Sequence, residues 1–191
     1  VIGRPEDFEV VMGIFLVAVA GAMPFWLRFS RGRDKAAVYR WGCLGWIFGL
    51  GCLFVVQPEW PFADTVVSTV LAGIGYSAAD MIPWSMVADV ADEDELASGE
   101  RREGLYVGVF TFTRKLAGAT GVAAAFLVLD LAGFRPGERN DEVVVWTLRA
   151  MTALIPSVFV ALSALVASGY VLGLDRHRAI LDELESRRLP T

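Results

Sequence analysis

Two stretches of this chain constrain its fold more than any other feature. "VVMGIFLVAVAGAMPFWL" (10–27) and "WGCLGWIFGLGCLFVVQP" (41–58) hold no charged residue. At ~1.5 Å of rise per residue each is about long enough to cross a ~30 Å hydrocarbon layer as a helix. A water-soluble bundle would need a polar face on these segments, and they have none, so that alternative is set aside. Three more apolar windows follow. The expectation is an all-α membrane protein with five transmembrane helices at about 10–28, 38–58, 64–88, 104–130 and 145–173, ending in a tail over 175–191. A chain that is 55% hydrophobic and 20% charged, with mean hydropathy +0.51, agrees with that class.

Lys and Arg near span ends are retained on the cytoplasmic side. The first connection carries Arg28, Arg31, Arg33, Lys35 and Arg40, the third Arg101 and Arg102, and the tail Arg176, Arg178, Arg187 and Arg188. The second connection, "QPEWPFAD", carries none; the fourth has Arg135 and Arg139, and Arg4 precedes the first span. The expected product is a multi-pass protein of the cell inner (plasma) membrane, with its N-terminal end outside and its C-terminus in the cytoplasm. The first apolar run has its basic flank after it, the reverse of a secretory signal peptide. With no initiator methionine at Val1, the chain reads as a piece of something longer.

Several function classes lose support. A net charge of -5 and a pI near 4.9 argue against nucleic-acid binding and make the basic clusters topology anchors. Cys43 and Cys52 share one apolar span and read as small hydrophobes, and His177 is alone in the tail. No His, Cys and carboxylate cluster has metal-ligand spacing, and neither a phosphate loop nor G-x-S-x-G occurs, so the chain does not read as an enzyme.

Between the third and fourth spans the chain runs through an acidic turn. Asp89 and Asp92, three apart, share a helix face, with Arg101 a short loop away. The bland reading is a solvated connector whose surface pairs are worth ~0–1 kcal/mol each. The sharper one is a cytoplasmic charge latch of Asp89, Asp92 and Arg101 that holds helix ends in one conformer. Spacing alone leaves the two level.

The run "PWSMVADVADEDELASGERREGLYVGVFTFTRKLAG" (83–118) resembles the glycoside-pentoside-hexuronide:cation symporters of the major facilitator superfamily: Asp-x-x-Asp, then Arg-x-Glu-Gly, then an aromatic-rich helix with a lysine. "SRGRDKAAVYRWG" (30–42) is similar to the superfamily's basic cytoplasmic loop, and "LRAMTALIPSVFVALSALV" (148–166) to the family's last helix. The resemblance covers nearly the whole chain and implies helices 8–12 of a twelve-helix transporter. It implies a secondary active transporter, with the coupling cation (Na+, H+ or Li+) bound in the N-terminal half outside this chain. The implied partners are a small solute, first a sugar, together with the bilayer and that N-terminal half.

Within that frame Lys115 is a candidate substrate-binding residue. At 100° per residue Gly104, Gly108, Thr111, Lys115, Gly118 and Val122 form one narrow stripe, so the lysine projects from a face of small residues with Thr111 beside it. Eleven residues of helix from Gly104 set it ~16 Å deep, where ionisable groups face a partner or an aqueous path. On the third span Thr69, Gly73, Tyr76, Asp80 and Trp84 form a second stripe that sets a carboxylate between two aromatic rings. Tyr76, Asp80 and Trp84 join the candidate site, with Asp80 as the expected partner of Lys115; Asp80 is not part of the family motif. An aromatic packing stripe with Asp80 in a structural ion pair is the alternative. Arg114 points about 100° from Lys115, toward Phe110, and Arg149 is expected to snorkel at the outer end of the last span. Pro83 and Pro156 mark kinks, and the tail is a short amphipathic helix. The chain therefore reads as part of a sugar:cation symporter working by alternating access. The alternatives are a carrier of lysolipid or another amphiphile in the same superfamily, and a membrane scaffold that transports nothing.

Overall fold

The computed structural model describes residues 7–57, 59–136 and 140–188. Arg4 and Arg139, counted above among the connection cations, lie outside the described residues. Seven α-helices are found there: α1 (Phe8–Ser30), α2 (Lys35–Val55), α3 (Phe62–Ser98), α4 (Glu103–Leu131), α5 (Glu142–Arg149), α6 (Ile155–Ala167) and α7 (Leu174–Arg188). A π-helical turn, Ala150–Leu154, joins α5 to α6. Five spans are long and apolar enough to cross a membrane, the fifth being α5, the π turn and α6 together. This is the expected all-α architecture.

The chain keeps backbone N–H and C=O groups inside helices because hydrocarbon offers them no other partner. Asp34 starts α2 by accepting hydrogen bonds from the N–H groups of Ala36 (2.9 Å) and Ala37 (3.4 Å). At Pro156 the missing N–H and the ring's bulk disfavour a regular turn, and the wider π turn lies directly before it.

α3 is the central helix, packed against α1, α2, α4 and α7. Its contact with α2 depends on two glycines: a Cβ on Gly49 would fall on the Ala72 backbone, and one on Gly75 on that of Trp46. Small residues let two helix backbones approach this closely, which is how dispersion holds helices together where lipid competes for apolar surface. Trp26 of α1 donates its indole N–H to the Ile74 carbonyl of α3 (2.8 Å), and Tyr39 of α2 bonds Ser163 of α6. The core around these ties contains Ala22, Trp26, Val38, Cys43, Ala78, Ile82 and Val160. Cys43 is buried there as a free thiol, and Cys52 is also free.

Two expectations change. α3 does not stop near 88 but continues as helix through "ADVADEDELAS" to Ser98, where Gly99 (φ 75°) ends it in a left-handed cap. Its 37 residues make it about 55 Å long, so its acidic end stands beyond a ~30 Å bilayer core. The last span ends at Ala167 rather than near 173. The tail helix α7 folds back on α3, its Ile180 and Leu184 packing with Leu172 against Val90, Leu96 and Tyr170. α4 has the opposite character, with none of its residues buried among the described ones.

Candidate functional site

α3 and α4 run antiparallel and meet through residues four apart on each. Trp84 packs edge-on against Phe110 (4.8 Å between ring centres), and one turn away Asp80 forms an ion pair with Arg114. The Arg114 guanidinium also lies 5.9 Å from the Trp84 ring. The expected pairing of Asp80 with Lys115 is therefore corrected: Arg114 takes the carboxylate. The reason is phase, because Phe110 and Arg114 are on the α4 face that meets α3, and Lys115 is rotated ~100° from it.

Lys115 is exposed and has no ion pair or hydrogen bond among the described residues. Its face is open as well: a Cβ on Gly104, Gly108 or Gly118 would meet nothing within 4 Å. Thr111, half-buried, borders that face. Tyr76 is held elsewhere, wedged between Phe15 (5.4 Å) and Trp46 (4.9 Å), although its hydroxyl feels the charges of Asp80 and Arg114. The α3 stripe is thus divided, with Thr69, Gly73 and Tyr76 packing on α1 and α2, and Asp80 and Trp84 facing α4.

At the other charged cluster the structure joins different partners from those expected. Asp89 is 2% exposed and accepts from Lys35 Nζ (2.6 Å) and the Tyr170 hydroxyl (3.3 Å). His177 Nε2 lies between Asp89 Oδ1 (3.3 Å) and Asp92 Oδ2 (3.2 Å). Arg101 reaches neither aspartate; it pairs with Glu103 (2.9 Å) and Glu95 (3.7 Å), because the helical extension of α3 carries Asp89 and Asp92 back from the loop. Arg102 makes a forked pair with Asp94 (2.7 and 2.9 Å), and Arg176 pairs with Glu93. Burial and the Asp89 charge hold the Tyr170 phenol well above its ordinary range, so it remains a hydrogen-bond donor.

Lys35, Tyr170 and His177 were missed as members of this cluster. From the sequence Lys35 reads as a topology anchor and His177 as isolated. The one signal available was the apolar spacing of Ile180 and Leu184, which docks α7 and brings His177 to α3. Arg149 is a second miss: it does not snorkel but is 7% exposed, inside a cavity bounded by α1, α2, α3 and the π turn. No group of three or more His, Cys, Asp or Glu side chains placed to hold a metal ion is found among the described residues.

The family model described as MFS/sugar transport protein matches residues 1–173. The chain is 32% identical to a symporter of Synechocystis sp., over 94% of this chain and 35% of that protein. It is 27% identical to the sodium-dependent lysophosphatidylcholine symporter 1-B of Danio rerio, over 95% of this chain and 36% of that protein. With the glucuronide carrier protein homolog of Escherichia coli the identity is 28%, over 71% of this chain and 30% of that protein. The chain thus spans about a third of the length of the curated relatives it matches. The resemblance to the glycoside-pentoside-hexuronide symporters is borne out, and with it the multi-pass membrane class. On its helices and this match alike, the chain belongs to the MFS/sugar transport protein family, whose members are membrane transporters and not enzymes.

Proposed function

We propose that the protein containing this chain is a cation-coupled symporter of the plasma membrane that carries a small polar solute, a sugar before other candidates, by alternating access. The observation that carries this reading is Lys115: a cation on an uncovered face of small residues, one position along from an arginine already neutralised by Asp80. A partly exposed Asp80–Arg114 pair with Trp84 beside it forms a polar wall, and Lys115 and Thr111 supply donors next to it. Tyr76 stiffens that wall from behind. The coupling cation, Na+, H+ or Li+, binds in the part of the protein outside this chain. Asp89, Asp92, His177 and Lys35 act as the latch at the cytoplasmic end, and Arg101 braces the start of α4. The N-terminal end of α1 faces outward.

A second reading, an amphiphile carrier, is favoured by the relatives named as lysophosphatidylcholine symporters. Uptake by the natural full-length chain in proteoliposomes separates the two. The expected result is uptake of a labelled glucuronide or glycoside, raised several-fold by an inward Na+, Li+ or H+ gradient and lost when an ionophore collapses it. Cation-driven uptake of a lysolipid instead would establish the second reading, and uptake of neither would refute both.

Orientation has its own test. With Cys43 and Cys52 replaced, a single cysteine at Arg31 or Arg33 is expected to react with an impermeant maleimide only after the membrane is opened. Labelling in intact cells would reverse the topology.

A further inference from the structure

The acidic end of α3 is a helix that its own sequence does not favour. Beyond Ala88 it carries Asp89, Asp92, Glu93, Asp94 and Glu95, with no basic residue in its last turn. Like charges three and four apart repel, as Asp89 does Asp92 and Glu93, and carboxylates at a helix C-terminus oppose the macrodipole. Asp also ranks low among helix formers. The segment stands beyond the hydrocarbon core, where water competes for backbone hydrogen bonds, so the membrane does not impose a helix on it. It is nevertheless helical to Ser98.

α7 supplies what the segment lacks. Arg176 pairs with Glu93, and His177 Nε2 stands 3.3 Å from Asp89 Oδ1 and 3.2 Å from Asp92 Oδ2. Leu172, Ile180 and Leu184 cover Val90 and Leu96. At the terminus the Glu100 N–H, which would bond the Leu96 carbonyl if the helix continued, donates instead to Ser98 Oγ (3.2 Å). Arg187 Nη1 donates to that carbonyl (2.9 Å), a C-terminal cap brought from 91 residues away. Lys35, Arg102 and Arg101 take Asp89, Asp94 and Glu95 from the other elements, which leaves Asp92, Glu93 and the Leu96 carbonyl to α7. The Arg102–Asp94 fork also ties the start of α4 to the same segment. We propose that α7 is a strap that keeps this end of α3 helical and, through that fork, fixes where α4 begins. With α7 released the segment unwinds, and α4, which carries Lys115, loses its cytoplasmic anchor. A latch needs only charge pairs between helices already formed, whereas the strap decides whether one of them is a helix there, so it holds or fails apart from the solute reading.

The test is hydrogen–deuterium exchange, read by mass spectrometry, on the natural full-length chain in nanodiscs. It is run unsubstituted and with Ile180→Asp and Leu184→Asp together, which set two carboxylates into the buried seam against Val90 and Leu96. Exchange over residues 88–99 is expected to rise about ten-fold or more, with a smaller rise over 103–107 and none over 66–82, the bilayer part of α3. No rise over 88–99 would overturn the proposal, whether the segment is helical by itself or another part of the full-length chain holds it. A rise that includes 66–82 is general unfolding, and Arg176→Gln with Arg187→Gln then decides. Both of those side chains are more than half exposed, at 58% and 52%, so the core is untouched. That pair should speed exchange over 92–99 about three- to ten-fold and leave 66–82 unchanged. Unchanged exchange over 92–99 would overturn the strap.

Discussion

Lys115→Ala is expected to reduce uptake by the full-length protein about 10- to 100-fold, with no loss of folded protein. Among the described residues Lys115 makes no hydrogen bond or ion pair and is exposed, on a helix with none buried, so its removal leaves no orphaned partner and no cavity. On the proposed role, what is lost is a charge-assisted hydrogen bond to solute, worth up to ~3 kcal/mol, and each ~1.4 kcal/mol is a factor of ten. Lys115→Arg should recover part of the activity by keeping the charge. Arg114→Ala acts differently, because it leaves the Asp80 carboxylate unpaired beside Trp84. Its cost should appear in thermal stability as well as uptake, and Asp80→Asn combined with Arg114→Ala should be less unstable than Arg114→Ala alone. Normal uptake by Lys115→Ala would remove Lys115 from the solute path.

The second large effect is expected at Asp89. Asp89→Ala removes the acceptor shared by Lys35, Tyr170 and His177, and so loosens α2, the α6–α7 link and α7 from α3 in one step. Breaking a fully buried ion pair costs about 3–5 kcal/mol; the Lys35 side chain keeps 27% of its exposure and regains water, so about 2–3 kcal/mol is expected here. Fluorescence-detected thermal unfolding should show a clear fall in Tm. Asp92→Asn keeps the Asp89 network and should be far milder in Tm while slowing transport, with solute affinity within a few fold, because a latch biases one access state without touching solute. A Tm unchanged by Asp89→Ala would show that α7 is held by its apolar contacts alone. Loss of solute binding by Asp92→Asn would place that carboxylate in the solute path.

Much of this molecule is written along one dimension. The uncharged windows, the basic connection before Lys35 and the spacing of Ile180 and Leu184 each specify a helix and its apolar side without reference to any other part of the chain. The motif run 83–118 likewise pointed to the family from residue identity alone. The candidate wall was only half legible. Both stripes were found on their own helices, but the pairing across them was misjudged by one residue, and on a helix one residue is ~100° of direction.

The division follows from the solvent. In hydrocarbon every span must satisfy its own backbone, so the five helices are local facts that composition and length determine. How they turn against one another is not local, because lipid competes equally for any apolar face and the choice falls to close packing and a few polar contacts. Gly49 and Gly75 bring α2 onto one side of α3, and Asp80 meets Arg114 of α4 on another. Only the tertiary structure decided that Asp89 takes Lys35, that His177 returns from the tail to α3, and that Arg149 is buried in an aromatic cavity rather than reaching for water. Each of those outcomes joins residues more than fifty positions apart or turns a charge inward, and no periodicity within a single helix encodes either.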